Sequence, residues 1–145
     1  MKTLATVQVT LHWYDITGDD DPRWDHDLAL YAYLAPNERE ILYIGKCDRT
    51  TVRGRWRYSA KSGLWDSINR VCDTHCVIVA DIDSNKRVTR ELLFDVESLL
   101  IYEVNRLQPL HNVQNTSSRG QYCRPGMRVE CLGAWPLSKT VFRES

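Results

Sequence analysis

The sequence predicts an α+β domain in which a small, mainly antiparallel β-sheet is flanked by helices. Three observations carry this reading. Short strand-like runs recur at 5–13, 28–34, 41–45, 75–82 and 127–132. One long segment, Thr89 to Leu107, has the period of a helix instead. The 145 residues, 43% hydrophobic and 26% charged, suffice for one domain with its own core.

The elements follow in chain order. ATVQVTLHW (5–13) alternates small or apolar residues with polar ones and reads as a strand. DITGDDDPRWDHD (15–27) is acidic and turn-rich, as expected of a surface loop. Leu28–Leu34 and Ile41–Gly45 are strands joined by PNERE, whose Pro36 and Asn37 supply turn chemistry. The short connection makes them an antiparallel hairpin. A helix is expected from about Thr51, with Val52 and Trp56 one turn apart and Gly54 an unfavourable resident. Ser62 caps a second short helix in which Trp65, Ile68 and Cys72 recur at helical spacing. HCVIVADI (75–82) is apolar and β-branched, as in a central strand. In the long helix, Leu92, Val96, Leu99 and Glu103, and also Leu93, Leu100 and Val104, fall on inward stripes before Pro109 ends it. A polar loop, NTSSRGQYCRPG, leads to a last strand near Met127–Leu132.

Composition excludes several classes. No apolar run approaches a membrane span, and the N-terminus lacks a cleavable signal pattern, so the expected address is cytoplasmic. Nineteen basic residues balance nineteen acidic ones. A neutral chain binds nucleic acid only where positive charge is concentrated. Residues 46–61 provide such a segment: Lys46, Arg49, Arg53, Arg55, Arg57 and Lys61 against the single acid Asp48. The other reading of that segment is a solvated helix face. Five cysteines, an odd number, argue against a disulfide framework. Cys72, His75, Cys76, Cys123 and Cys131 do not have the spacing of a common zinc motif, and free cysteine is often a small buried hydrophobe.

Tyrosine, arginine and a carboxylate are suitable parts for cleaving a phosphodiester. Tyrosine can bind the attacking water, arginine can neutralise charge growing on phosphate, and a carboxylate can hold a divalent cation. Tyr31 and Tyr43 lie on the two hairpin strands, with Tyr33 the rival to Tyr31 on the same strand face. Glu97 stands out on the long helix, because its neighbours three and four positions away are Leu93, Phe94, Leu100 and Ile101. Glu91 and Asp95 have charged or polar neighbours instead. A carboxylate in an apolar stripe must be paired, protonated or coordinated. It is therefore either half of a buried ion pair or a ligand for a hard cation such as Mg²⁺.

The order and spacing of these residues, from about Leu28 to Asn112, resemble the GIY-YIG nuclease domain. Ala29-Leu30-Tyr31 stands where the family has Gly-Ile-Tyr, so the first glycine is absent; Tyr43-Ile44-Gly45 keeps the second motif. Counting from Gly45 points to Arg53 as the family's arginine, whereas the local pattern Val52-Arg53-Gly54-Arg55-Trp56 points to Arg55, which we favour. The position one turn later, often histidine or tyrosine, is Ser59, beside Tyr58. Glu97 falls where the family has its metal-binding glutamate. Pro109-Leu110-His111-Asn112 is similar to the family's Pro-x-x-Asn ending, with Asn112 fixing site geometry through its amide.

The resemblance implies one GIY-YIG-like domain over residues 1–145, with strand extensions at both ends of its core. It implies a metal-dependent endonuclease acting on DNA, with Tyr31, Tyr43, Arg55, Glu97 and Asn112 catalytic and one Mg²⁺ (or Mn²⁺) on Glu97. Lys46, Arg49, Arg53, Arg57 and Lys61 are then the nucleic-acid contacts. Selectivity falls to a homodimer, a protein partner or a preferred DNA structure. The alternative is a catalytically silent nucleic-acid-binding or assembly module on the same fold, favoured by the missing glycine and the neutral charge.

Overall fold

A computed structural model describes residues 7–16, 20–35, 40–48, 50–55, 76–110 and 126–144. Six strands form one sheet: β1 (Val7–Asp15), β2 (Ala29–Leu34), β3 (Ile41–Cys47), β4 (Cys76–Ser84), β5 (Met127–Gly133) and β6 (Val141–Arg143). Their spatial order is β3-β2-β4-β1-β5-β6. All neighbours pair antiparallel except β1 and β5, which run parallel. The architecture is α+β with a mostly antiparallel sheet. No helix among the described residues is long and apolar enough to cross a membrane.

The strands follow from alternation. On β1, Val7, Val9, Leu11 and Trp13 are buried on one face. Val129 and Cys131 of β5, Ile78 and Ala80 of β4 and Phe142 of β6 join them there. That face is covered by α1 (Arg90–Leu107), which contributes Leu92, Leu93, Val96, Leu99, Leu100, Ile101 and Val104. Helix α1 begins where its sequence signals it. The Thr89 side chain accepts the Leu92 N–H at 3.1 Å, the usual N-cap bond. Glu103, expected on an inward stripe, is only partly buried and reaches Arg106 at 3.8 Å. Near the helix end the i, i+3 partner is close enough for a long side chain to turn outward.

The opposite sheet face is covered at the β2–β3 end. Ala29, Tyr31, Tyr33, Leu42, Cys47, Val52, Val77 and Val79 form a second core there, with Trp24 against it. Two elements were not expected. The acidic loop contains a 3-10 helix, Pro22–Asp25, whose N-cap Asp21 accepts the Arg23 N–H at 3.0 Å and is itself buried. Strand β6 follows the last expected strand; its three residues are too few for alternation to register. Gly133 ends β5 at φ 79°, and a Cβ there would lie 2.4 Å from the Trp13 carbonyl oxygen, so only glycine fits. The helix expected from Ser62 lies outside the described residues.

Candidate active site

The site is built on the β2–β3 hairpin, and an irregularity aims it. Leu34 pairs with Ile41 and Tyr33 with Tyr43, so Leu42 is the extra residue of a bulge. Ile41 packs in the core under α1, while Leu42 and Tyr43 both pack on the opposite face, and Ile44 returns to the α1 side. Strict period-two alternation from Ile41 would have sent Tyr43 towards the helix. The bulge turns it to the face that carries Tyr31 and Tyr33.

Three tyrosines therefore cluster. The Tyr33 and Tyr43 rings stack at 5.5 Å, and Tyr31 lies 5.3 Å from Tyr33 and 6.2 Å from Tyr43. Gly45 makes room for them. A Cβ at that position would lie 2.4 Å from both Cζ and Oη of Tyr31 and 2.9 Å from Tyr43. The second-motif glycine is thus a spacing requirement of the tyrosine hydroxyls.

Arg55 closes the cluster from the helical residues 52–55. This turn is moored by the Val52 N–H, which donates to the His26 carbonyl at 3.0 Å. Arg55 Nε donates to Tyr31 Oη at 3.4 Å, and the guanidinium also bonds Tyr43. Burial alone would lower the guanidinium pKa, but the bonds to Tyr31 and the surrounding phenols hold it above its ordinary value. Burial, then Tyr33 and Tyr43, push the Tyr31 phenol well above its ordinary value; burial and then Glu97 raise Tyr43. Both are neutral phenols near pH 7. Tyr31 is 1% exposed, whereas Tyr43 is partly exposed, so Tyr43 is the hydroxyl a ligand can reach.

Glu97 approaches from α1, past the free edge of β3, where its carboxyl accepts the Lys46 backbone N–H. It is 9% exposed. Desolvation lifts its pKa to about 7, against the opposing pull of Lys46 and then Arg55, with Asp48 raising it further. Sequence reasoning missed Asp48: its carboxylate takes the Lys46 ammonium at 2.9 Å and Arg90 at 3.6 Å, so a mixed-charge group lies beside Glu97. It also set Asp95 aside, yet Asp95 is buried at 4%. Polar neighbours along the helix did not reveal which face the tertiary fold would cover.

Of the expected residues, Tyr31, Tyr43, Arg55 and Glu97 come together. Arg53 does not join them: it lies 3.7 Å from Asp25 and over the Trp24 ring. Lys46 is paired with Asp48 and sits over Phe94. Two members of the basic segment are thus already matched to acids, one of them drawn from the acidic loop. Arg49, Arg57, Lys61 and Asn112 lie outside the described residues, as do Ser59, Cys72, His75, Cys123 and the Cys76 side chain. Cys47 and Cys131 are free and buried, and burial pushes the Cys131 thiol up to about 12. No group of three or more His, Cys, Asp or Glu that could hold a metal exists among the described residues.

A single carboxylate nevertheless suits Mg²⁺, which keeps several waters and takes one or two carboxylates together with substrate phosphate oxygens. The desolvated Glu97 carboxyl, held protonated up to about pH 7, is one whose ionised form a cation would stabilise. The residues fit the ion. No family model matches this chain, and comparison with curated proteins and with solved structures finds no match.

Proposed function

We propose that this protein is a metal-dependent endonuclease of the GIY-YIG type that hydrolyses DNA phosphodiester bonds. The observation that carries the reading is the convergence of Tyr31, Tyr43, Arg55 and the buried Glu97 carboxyl at one end of the sheet, from four separate stretches of chain.

The chemistry follows from protonation states. Tyr43 Oη lies against Tyr31 and Arg55, and burial keeps its phenol protonated near pH 7. Being neutral, it orients an attacking hydroxide whose proton has already passed to solvent, rather than deprotonating a water itself. Tyr31 is buried and acts behind it, holding both Tyr43 and Arg55. Arg55, charged at any physiological pH, faces the negative charge that grows on the scissile phosphate. Glu97 would hold the Mg²⁺ (or Mn²⁺), and the ion supplies further stabilisation to the phosphate and the leaving oxygen.

The test is plasmid nicking with Mg²⁺ or with EDTA, by the wild type and by Glu97→Ala. The reading expects nicking that both EDTA and the substitution abolish. Nicking that survives Glu97→Ala would overturn the role of this residue. A second reading, a catalytically silent nucleic-acid-binding or assembly module, is favoured by Ala29, buried where the family has glycine. DNA binding without Mg²⁺-dependent nicking is its signature.

A further inference from the structure

Helix α1 is tied to the free edge of β3 at two points, only one of which belongs to the site above. The second is Gln108, the C-cap of α1. Its Oε1 accepts the Ile41 N–H at 2.9 Å, and its Nε2 donates to the Ile41 carbonyl. The primary amide thus takes the place of a strand backbone at one residue of β3, the outermost strand among the described residues. It resembles edge pairing made by a side chain.

The two ties match in length and run antiparallel. Glu97 to Gln108 is eleven residues, about 16 Å at the rise of an α-helix. Lys46 to Ile41 is five residues, also about 16 Å at the rise of a strand. A shift of α1 along the sheet would have to repack its buried apolar side chains and would in addition break both polar bonds at the strand edge.

We propose that Gln108 is a positioning residue that sets the register of α1 along β3, and so the place of Glu97 at the tyrosine–arginine cluster. The inference rests on the nuclease reading for its effect on activity, but not for its effect on geometry. Gln108 touches neither the cluster nor Glu97. Its influence has to travel the length of the helix.

The test is residue-resolved amide exchange together with plasmid cleavage, for the wild type, Gln108→Met and Gln108→Glu. Methionine keeps the volume and removes both bonds. Glutamate keeps the acceptor and loses the donor, and it provides a second variant if the first fails to fold. The proposal expects faster exchange at Ile41, where the bond is lost, and also at the remote Lys46 amide. Exchange in β4, at Val79, stays slow, and Mg²⁺-dependent cleavage falls roughly tenfold, as for residues that support a metal ligand. Faster exchange at Ile41 with unchanged protection at Lys46 would overturn it, since α1 would then be held by its apolar face alone. If the wild type does not nick DNA, the nuclease reading fails. The Lys46 amide still decides the role of Gln108.

Discussion

At the scale of single residues, the burial of Glu97 separates a metal ligand from a structural ion pair. Its carboxyl titrates at about 7 in the folded protein and near 4.3 in an unfolded chain. The folded state holds the proton more tightly, so stability falls as pH rises from about 4.3 to about 7 and is level above that. The loss amounts to roughly 4 kcal/mol at most. Glu97→Gln keeps an acceptor for the Lys46 N–H and removes this penalty. In EDTA at pH 8 the variant should unfold at a higher temperature than the wild type, and in Mg²⁺ it should fail to cleave DNA. A variant that melts early and cleaves normally would identify Glu97 as a structural ion-pair member. Gly45→Ala is the steric counterpart. Its methyl would overlap the Tyr31 Cζ and Oη, so it should cost about 1–3 kcal/mol in denaturant unfolding and displace the hydroxyls. Tyr31→Leu, which lacks those atoms, should remove most of that cost in a double-mutant cycle. Additive losses would contradict the clash. Glu97 stands out in its local run, whereas Tyr31, Tyr43 and Arg55 were picked out only through the resemblance to a family pattern. Asp48 and Asp95 were not picked out: Asp48 pairs with nearby Lys46 but also with distant Arg90, and the burial of Asp95 follows from which helix face the sheet covers.

At the scale of elements, the bulge at Leu42 carries the most consequence. Leu42→Ala leaves the extra residue in place, so it should cost about 2–5 kcal/mol as a core truncation while cleavage persists. Deleting Leu42 removes the extra residue, so Tyr43 follows Ile41 directly and strict alternation keeps it on the tyrosine face. Cleavage should then persist in protein that still shows the cooperative melt of the sheet. A folded deletion variant that no longer cleaves would contradict the role given to the bulge, which is to absorb the extra residue and keep Tyr43 on that face. Helix α1 and the buried strand β4 were legible because Thr89, Pro109 and the run 77–80 state their local preference strongly. The bulge was not, because Ile41-Leu42-Tyr43-Ile44 reads equally well as a strand with either residue facing inward. The parallel pairing of β1 with β5 is a long-range choice that no local run encodes.

At the scale of the whole molecule, a neutral chain has to present phosphate contacts locally, and part of its basic segment is already matched. Arg53 lies against Asp25 and Trp24, so it meets DNA only by leaving or sharing that acid. Replacing Arg53 and Arg57 together by glutamine should weaken binding of unrelated sequences alike. It should also reduce the salt slope of log K by about two at most. Unchanged affinity at low salt would make the segment a solvated face. The central claim is that residues from four stretches of chain act as one phosphodiester-cleaving site. Its most direct test is the single-turnover cleavage rate of Arg55→Gln, Glu97→Gln and the double variant in Mg²⁺. Groups that act as a unit lose their effect together, so the double variant should be about as slow as the slower single one. Single variants that cleave at the wild-type rate, or a double variant whose loss is the full product of two independent losses, would contradict a shared site.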